Sequence, residues 1–127
     1  MRKIFISGAY AGSTGKDALC VLKDKIKSLD FELVTLDECL LNSLDIHRST
    51  IELINSCNIF VCIYDGSSPN ITFELGYAIG RNKKVVLVAY HEELPFDIKH
   101  LCYINRGLPD FEIFQSIISF IEAETVK

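Results

Sequence analysis

The sequence predicts an α/β fold. We expect a flavodoxin-like, Rossmann-like three-layer sandwich built on a five-stranded parallel sheet of order 2-1-3-4-5. Three observations predict it. Short β-rich apolar runs alternate with segments of helical period, the pattern that makes a parallel sheet with helices on both faces. Two of those runs, Asn58 to Tyr64 and Lys84 to Tyr90, are almost continuously apolar, as strands buried on both faces must be. The first run, Lys3 to Ser7, leads through a glycine-rich turn into a segment of helical spacing.

The elements follow in order. Leu19, Leu22, Ile26 and Leu29 recur at helical spacing and predict an amphipathic helix over 16–29. Phe31 to Leu36 reads as the second strand, and 37–45 as a loop. Ile46, Ile51 and Ile54 predict a helix over 46–56, followed by the third strand. The turn "DGSSPN" comes next, and Pro69-Asn70 marks a helix start. After the fourth strand, "HEELPFDIKH" reads as a polar loop, and Leu101 to Asn105 as a short last strand. Pro109-Asp110 opens a terminal helix whose Phe111, Phe114, Ile117, Ile118 and Ile121 are expected to cover the sheet.

The 127 residues fit one domain, 1–127. A 49% apolar chain of this length can bury a core, on the order of two-thirds of its unfolded surface. A net charge of −4 leaves no electrostatic footprint for nucleic acid. No apolar run reaches the roughly 18 residues of a membrane span, and "MRKIFISG" does not read as a signal peptide. Five cysteines without a C-x-x-C pair fit reduced thiols in the cytoplasm, packed as apolar fillers. Three scattered histidines give no ligand spacing, so we expect neither metal nor cofactor.

The first loop, "SGAYAGSTGK", invites comparison with the triphosphate-binding pattern G-x-x-x-x-G-K-[ST]. It fails twice: Tyr10 stands where the first glycine belongs, and Asp17 where the Mg²⁺-binding hydroxyl belongs. Amides at a helix start still favour anions. In the predicted strand order the chain reverses between strands one and three, and ligands bind outside the strand ends at such a reversal. The loops meeting there are 8–16 and 65–74. Their candidates are Ser7, Gly8, Ala9, Tyr10, Gly12 and Ser13 on one side, and Asp65, Ser67, Ser68, Asn70 and Glu74 on the other. Ser67, Ser68 and Asn70 are also natural caps, and Asp65 a natural turn former. Glu74 is expected near the first helical turn, where the helix end favours its ionised form. Tyr77, three residues on, is placed to hydrogen-bond it.

The segment "SPNITFELGYAIGRNKKVVLV" resembles the hallmark of the nucleoside 2-deoxyribosyltransferase family, which includes the 2′-deoxynucleoside 5′-phosphate N-hydrolases. Glu74-Leu75-Gly76-Tyr77-Ala78 is its specific part. The resemblance implies cleavage or transfer at the N-glycosidic bond of a (deoxy)nucleotide or nucleoside. Glu74 would be the nucleophile, and the first loop would hold the sugar-phosphate; Asp65 is our own candidate for a second catalytic residue. It also implies a homodimer or larger homo-oligomer, with Tyr103 and Asn105 as candidates to reach a neighbour's pocket. Two positions depart from the family: Thr50 and Ser68 stand where its members usually carry Asp. Asp65, Asp45 and Tyr10 are candidate replacements. With "ELPFDIKHLCYIN", the same segment is also similar to TIR-like nucleotide-binding domains, which implies an NAD glycohydrolase or a nucleotide-sensing pocket. A non-catalytic nucleotide-binding module, with Glu74 only a helix-end residue, is the third reading.

Overall fold

The computed structural model describes residues 2–8, 12–35, 46–64, 66–94 and 103–125. Five strands form one parallel sheet: β1 (Arg2–Ser7), β2 (Phe31–Val34), β3 (Ile59–Ile63), β4 (Lys84–Ala89) and β5 (Ile104–Asn105). Their order is β2-β1-β3-β4-β5, as expected. Among the described residues four helices accompany them: α1 (Gly12–Ser28), α2 (Ile46–Ser56), α3 (Pro69–Gly80) and α4 (Asp110–Thr125). A 3₁₀ turn, His91–Glu93, follows β4. Among the described residues no helix is long and apolar enough to cross a membrane.

The apolar runs are needed because alternate residues of each strand enter different cores. Ile4 and Ile6, then Ile59, Val61 and Ile63, then Val86 and Val88 face α1 and α4. They meet Leu22 and Ile26 of α1, and Ile113, Ile117, Ile118 and Ile121 of α4. Phe5, Phe60, Cys62, Tyr64, Leu87 and Ala89 face the other way. They meet Ile54 of α2 and Leu75 and Ala78 of α3. The period of two is the pleat itself; with helices on both faces, neither parity can be polar.

Several boundaries differ from expectation. Helix α1 starts at Gly12, not at 16, because its first turn is polar and carries no apolar period. Strand β2 ends at Val34, and β5 is two residues long. Phe111 is 76% exposed. It is two residues from Ile113, about 200° round the helix, and so faces away from the stripe that covers the sheet. Cys57 and Cys62 are buried fillers, but Cys20 is exposed on α1.

Helix α3 is held at both ends. Ser68 is its N-cap, with its hydroxyl accepting from the Ile71 N–H, and Pro69 occupies the first turn, where its missing N–H is harmless. At the far end Asn82 takes a left-handed φ of 58° and its N–H bonds the Ile79 carbonyl. Side chains then tie α3 to α2. The Tyr77 hydroxyl and Arg81 Nε both donate to Asn55 Oδ1, at 3.0 and 3.1 Å. Lys83 Nζ donates to the carbonyls of Asn55 and Cys57, at 2.8 and 3.1 Å. Those carbonyls end α2 and lack helical partners.

Candidate functional site

The carboxyl ends of β1 and β3 are adjacent, with Ser7 in register with Cys62. Strand parity decides where Ser7 points. It shares the odd positions with Phe5, and therefore lies on the α2/α3 face. Helix α3 covers that face, anchored by Leu75 and Ala78. Glu74 precedes Leu75 and is left half-buried at the rim, above the strand ends. The Ser7 hydroxyl donates to Glu74 Oε2 at 3.0 Å, across 67 residues of sequence.

Gly8 makes this meeting possible. Its φ is +127°, a region L side chains rarely enter, and a Cβ built there lies 2.4 Å from the Ile63 carbonyl oxygen and 2.7 Å from Ile63 Cβ. The chain leaves β1 flush against the end of β3, which no side chain at position 8 permits. Ser7 is thereby kept at the strand end, facing the carboxylate.

Two expectations about Glu74 are corrected. Helix α3 begins at Pro69 and has no acidic residue in its first turn. Glu74 is its sixth residue, and the field of a helix end fades within the first turn. What orients the carboxylate is a charge-assisted hydrogen bond from β1. Tyr77 does not serve it; its hydroxyl is bound to Asn55. Spacing of three residues puts two side chains on adjoining faces, and Tyr77 leans toward α2.

The other candidates are placed as follows. Gly12 opens α1, with Ser13 next, so the start of that helix adjoins the carboxyl edge of the sheet. Ser68 is engaged as a cap, while Asn70 is exposed at the second helical position. Thr50 is buried on α2. Ala9, Tyr10, Asp45 and Asp65 lie outside the described residues, as do Pro95, Phe96 and Asp97 of the loop that suggested the TIR-like reading. Leu94 of that loop is a core residue.

Cys62 lies under the site. Burial, and next the negative charge of Glu74, push its thiol up to about 12. Burial also raises Cys57, partly offset by the positive Lys83. A thiol whose folded pKa exceeds its unfolded value near 9.0 stabilises the fold fully below that value. This contribution fades as pH rises from about 9 toward 12, at up to about 1.4 kcal/mol per pH unit. A thiolate-directed reagent at pH 8 is therefore expected to label Cys20 and to leave Cys57 and Cys62 unlabelled until the protein unfolds. Peptide mapping of the alkylated native protein checks this; rapid native labelling at Cys62 contradicts the packing described.

No family model and no curated protein matches this chain in sequence. Solved structures do match it in fold. A CMP N-glycosidase from Clostridium botulinum superposes with a TM-score of 0.65 at 19% identity, covering 91% of this chain and 98% of that one. A 2-deoxyribosyltransferase from Leishmania mexicana superposes with a TM-score of 0.54, also at 19% identity, over 68% of this chain. The match spans only 63% of the transferase's length. At this identity the likeness establishes the fold. The chain has the nucleoside 2-deoxyribosyltransferase-like fold of these two enzymes.

Sequence reasoning overlooked two residues beside the site. Gly66, in the turn between β3 and α3, donates its N–H to Glu93 Oε2 at 2.9 Å. Arg106, just after β5, donates from Nη1 to the Tyr64 carbonyl at 3.0 Å. Neither Glu93 nor Arg106 carries a local signal, because their partners, the Gly66 N–H and the Tyr64 carbonyl, are backbone groups 27 and 42 residues away.

Proposed function

We propose that this protein cleaves the N-glycosidic bond of a nucleoside 5′-monophosphate, with Glu74 as nucleophile. The observation that carries the reading is the hydrogen bond from Ser7 to Glu74 at the switch point. A carboxylate half-buried above strand ends and fixed by a residue of the neighbouring strand is arranged for more than capping a helix. The likeness in fold to a CMP N-glycosidase and a 2-deoxyribosyltransferase supports it. The CMP named for the glycosidase, together with the amides at the start of α1, favours a phosphorylated substrate.

The reaction has two steps. A Glu74 oxygen attacks C1′ while the bond from C1′ to the base nitrogen breaks, through an oxocarbenium-like transition state. The electron pair leaves with the base, which takes a proton from Asp65, the nearest acid along the chain. Water then attacks C1′ of the glycosyl-enzyme, giving its proton to Asp65, and the Glu74 carboxylate is released. The sum is nucleotide plus water giving sugar phosphate plus free base. A second base in place of water makes the reaction a transfer.

The test is base release, followed by chromatography, from CMP and other ribo- and deoxyribonucleoside monophosphates, from free nucleosides, and from NAD. Release from monophosphates is the expected result. Release from NAD alone replaces the reading with NAD glycohydrolysis, and absence of release from every substrate refutes it. Asp65→Asn tests the proton donor. It is expected to slow release of ordinary bases by about 10²-fold or more. In the first turnover, before Asp65 is needed as base for water, it leaves a nucleotide of N7-methylated guanine, whose base departs without protonation, within a few-fold of the parent. Equal losses on both substrates in that first turnover exclude Asp65 as the acid.

A further inference from the structure

The turn between β3 and α3 is gripped from two directions. At its start the Tyr64 carbonyl accepts from Arg106 Nη1 at 3.0 Å, while the Tyr64 N–H is bound to the Val88 carbonyl at 2.7 Å. Two residues on, the Gly66 N–H donates to Glu93 Oε2 at 2.9 Å. The contact at Gly66 is close: a Cβ there would lie 3.1 Å from both Cβ and the carbonyl oxygen of Glu93. A cation therefore holds a carbonyl and an anion holds an amide of the same short turn. Each partner comes from a separate segment, Glu93 from the 3₁₀ turn after β4 and Arg106 from the turn after β5.

Arg106 is itself fixed. Its own N–H bonds the Ala89 carbonyl, and its guanidinium lies over the Tyr90 ring, 5.5 Å from the centroid. An ordinary surface turn leaves such backbone groups to water. Ordering two long charged side chains on one turn costs conformational entropy, and a turn with only a connecting role gains nothing from it. This turn runs directly into the Ser68 cap and the helix that carries Glu74, and in the chain Asp65 stands between the two gripped peptide groups.

We infer that Glu93 and Arg106 are positioning residues. They clasp the β3–α3 turn at two backbone atoms and preorganise the site around Glu74, without touching the substrate. The inference rests on the proposed glycosidic reaction. It predicts a loss in turnover rather than in binding, because a misplacement of about 1 Å costs up to about 10²-fold in rate.

The experiment compares Glu93→Ala, Arg106→Ala and their double variant with Glu93→Gln and Arg106→Lys. Gln retains an oxygen acceptor for Gly66, and Lys a donor for Tyr64. For each variant, kcat and KM for base release are measured beside Tm and amide exchange at Gly66. The alanine variants are expected to lose about 10- to 100-fold in kcat, with KM within about threefold and Tm within a few degrees of the parent. Glu93→Ala also loses protection at Gly66. The conservative variants recover most of the rate, and the double variant loses less than the product of the single losses, since both act on one turn. Alanine variants with parental kcat, or with kcat losses no larger than the loss of folded protein, overturn the clasp while the glycosidic reading stands. A parent that releases no base overturns that reading first, and this inference with it.

Discussion

Glu74→Gln is expected to abolish the proposed base release, lowering kcat on the order of 10³-fold or more, while the protein stays folded with a nearly unchanged Tm. The amide matches the carboxylate in shape and keeps an oxygen to accept from Ser7, so the contact at 3.0 Å survives. What disappears is the charged oxygen that, in the proposed reaction, attacks C1′. Burial, the larger cause of the raised Cys62 pKa, is untouched by the substitution, so the thiol beneath the site stays protonated. Turnover comparable to the parent refutes Glu74 as nucleophile and leaves it a helix residue. A variant that unfolds is ruled out by circular dichroism, and Glu74→Asp separates placement from charge: it keeps the charge, withdraws it by about one carbon–carbon bond, and is expected to retain only a small part of the rate.

The second large effect belongs to Gly8→Ala. The methyl group would stand 2.4 Å from the Ile63 carbonyl oxygen, at a φ of +127°. Backbone strain and overpacking each contribute about 1–3 kcal/mol. A loss of about 3–5 kcal/mol is expected, lowering Tm by roughly 10–20 °C at this chain length. Whatever folds must part the ends of β1 and β3, which draws Ser7 away from Glu74, so activity falls further than stability alone requires. The control is Gly76→Ala. A Cβ at Gly76 meets nothing within 4 Å and lies inside a helix, where Ala is favoured over Gly by about 0.5–1 kcal/mol. Thermal melts of the two variants should move in opposite directions. If Gly8→Ala melts with the parent, the close approach of the β1 turn to β3 is not as described.

The contrast between these glycines shows where sequence reading stops. Both lie in stretches singled out early, the glycine-rich loop and the Glu-Leu-Gly-Tyr-Ala segment. Only their surroundings separate a position that excludes every side chain from one that accepts a methyl group. Glu74 was singled out for a different reason: its spacing alone fits a helix-end residue, and only the resemblance of the Glu-Leu-Gly-Tyr-Ala segment to a family hallmark marks it as a candidate nucleophile. Its support was not legible. The helix end proposed for it lies a full turn away, and the hydroxyl that orients it comes from Ser7, 67 residues earlier. In the sequence Ser7 is a substrate-binding candidate at a strand end, and nothing there ties it to Glu74.

The fold class and strand order were determined by the sequence alone, because they follow from local quantities. Continuous apolar runs of strand length require cover on both faces, and intervening segments of helical period supply it; right-handed crossovers then leave few arrangements. The reversal between β1 and β3, and hence the two loops that meet, came with that order. Tertiary structure alone decided which side chains converge there. Strand parity turned Ser7 toward α3, the Asn55 contact turned Tyr77 toward α2, and Glu93 and Arg106 arrived from later segments to hold the β3–α3 turn. Each of these is a contact between residues 22 to 67 positions apart. Periodicity and capping rules act over a few residues of chain, so they set where an element begins and which way it faces, while the partners it meets are chosen only when the sheet closes and the helices pack.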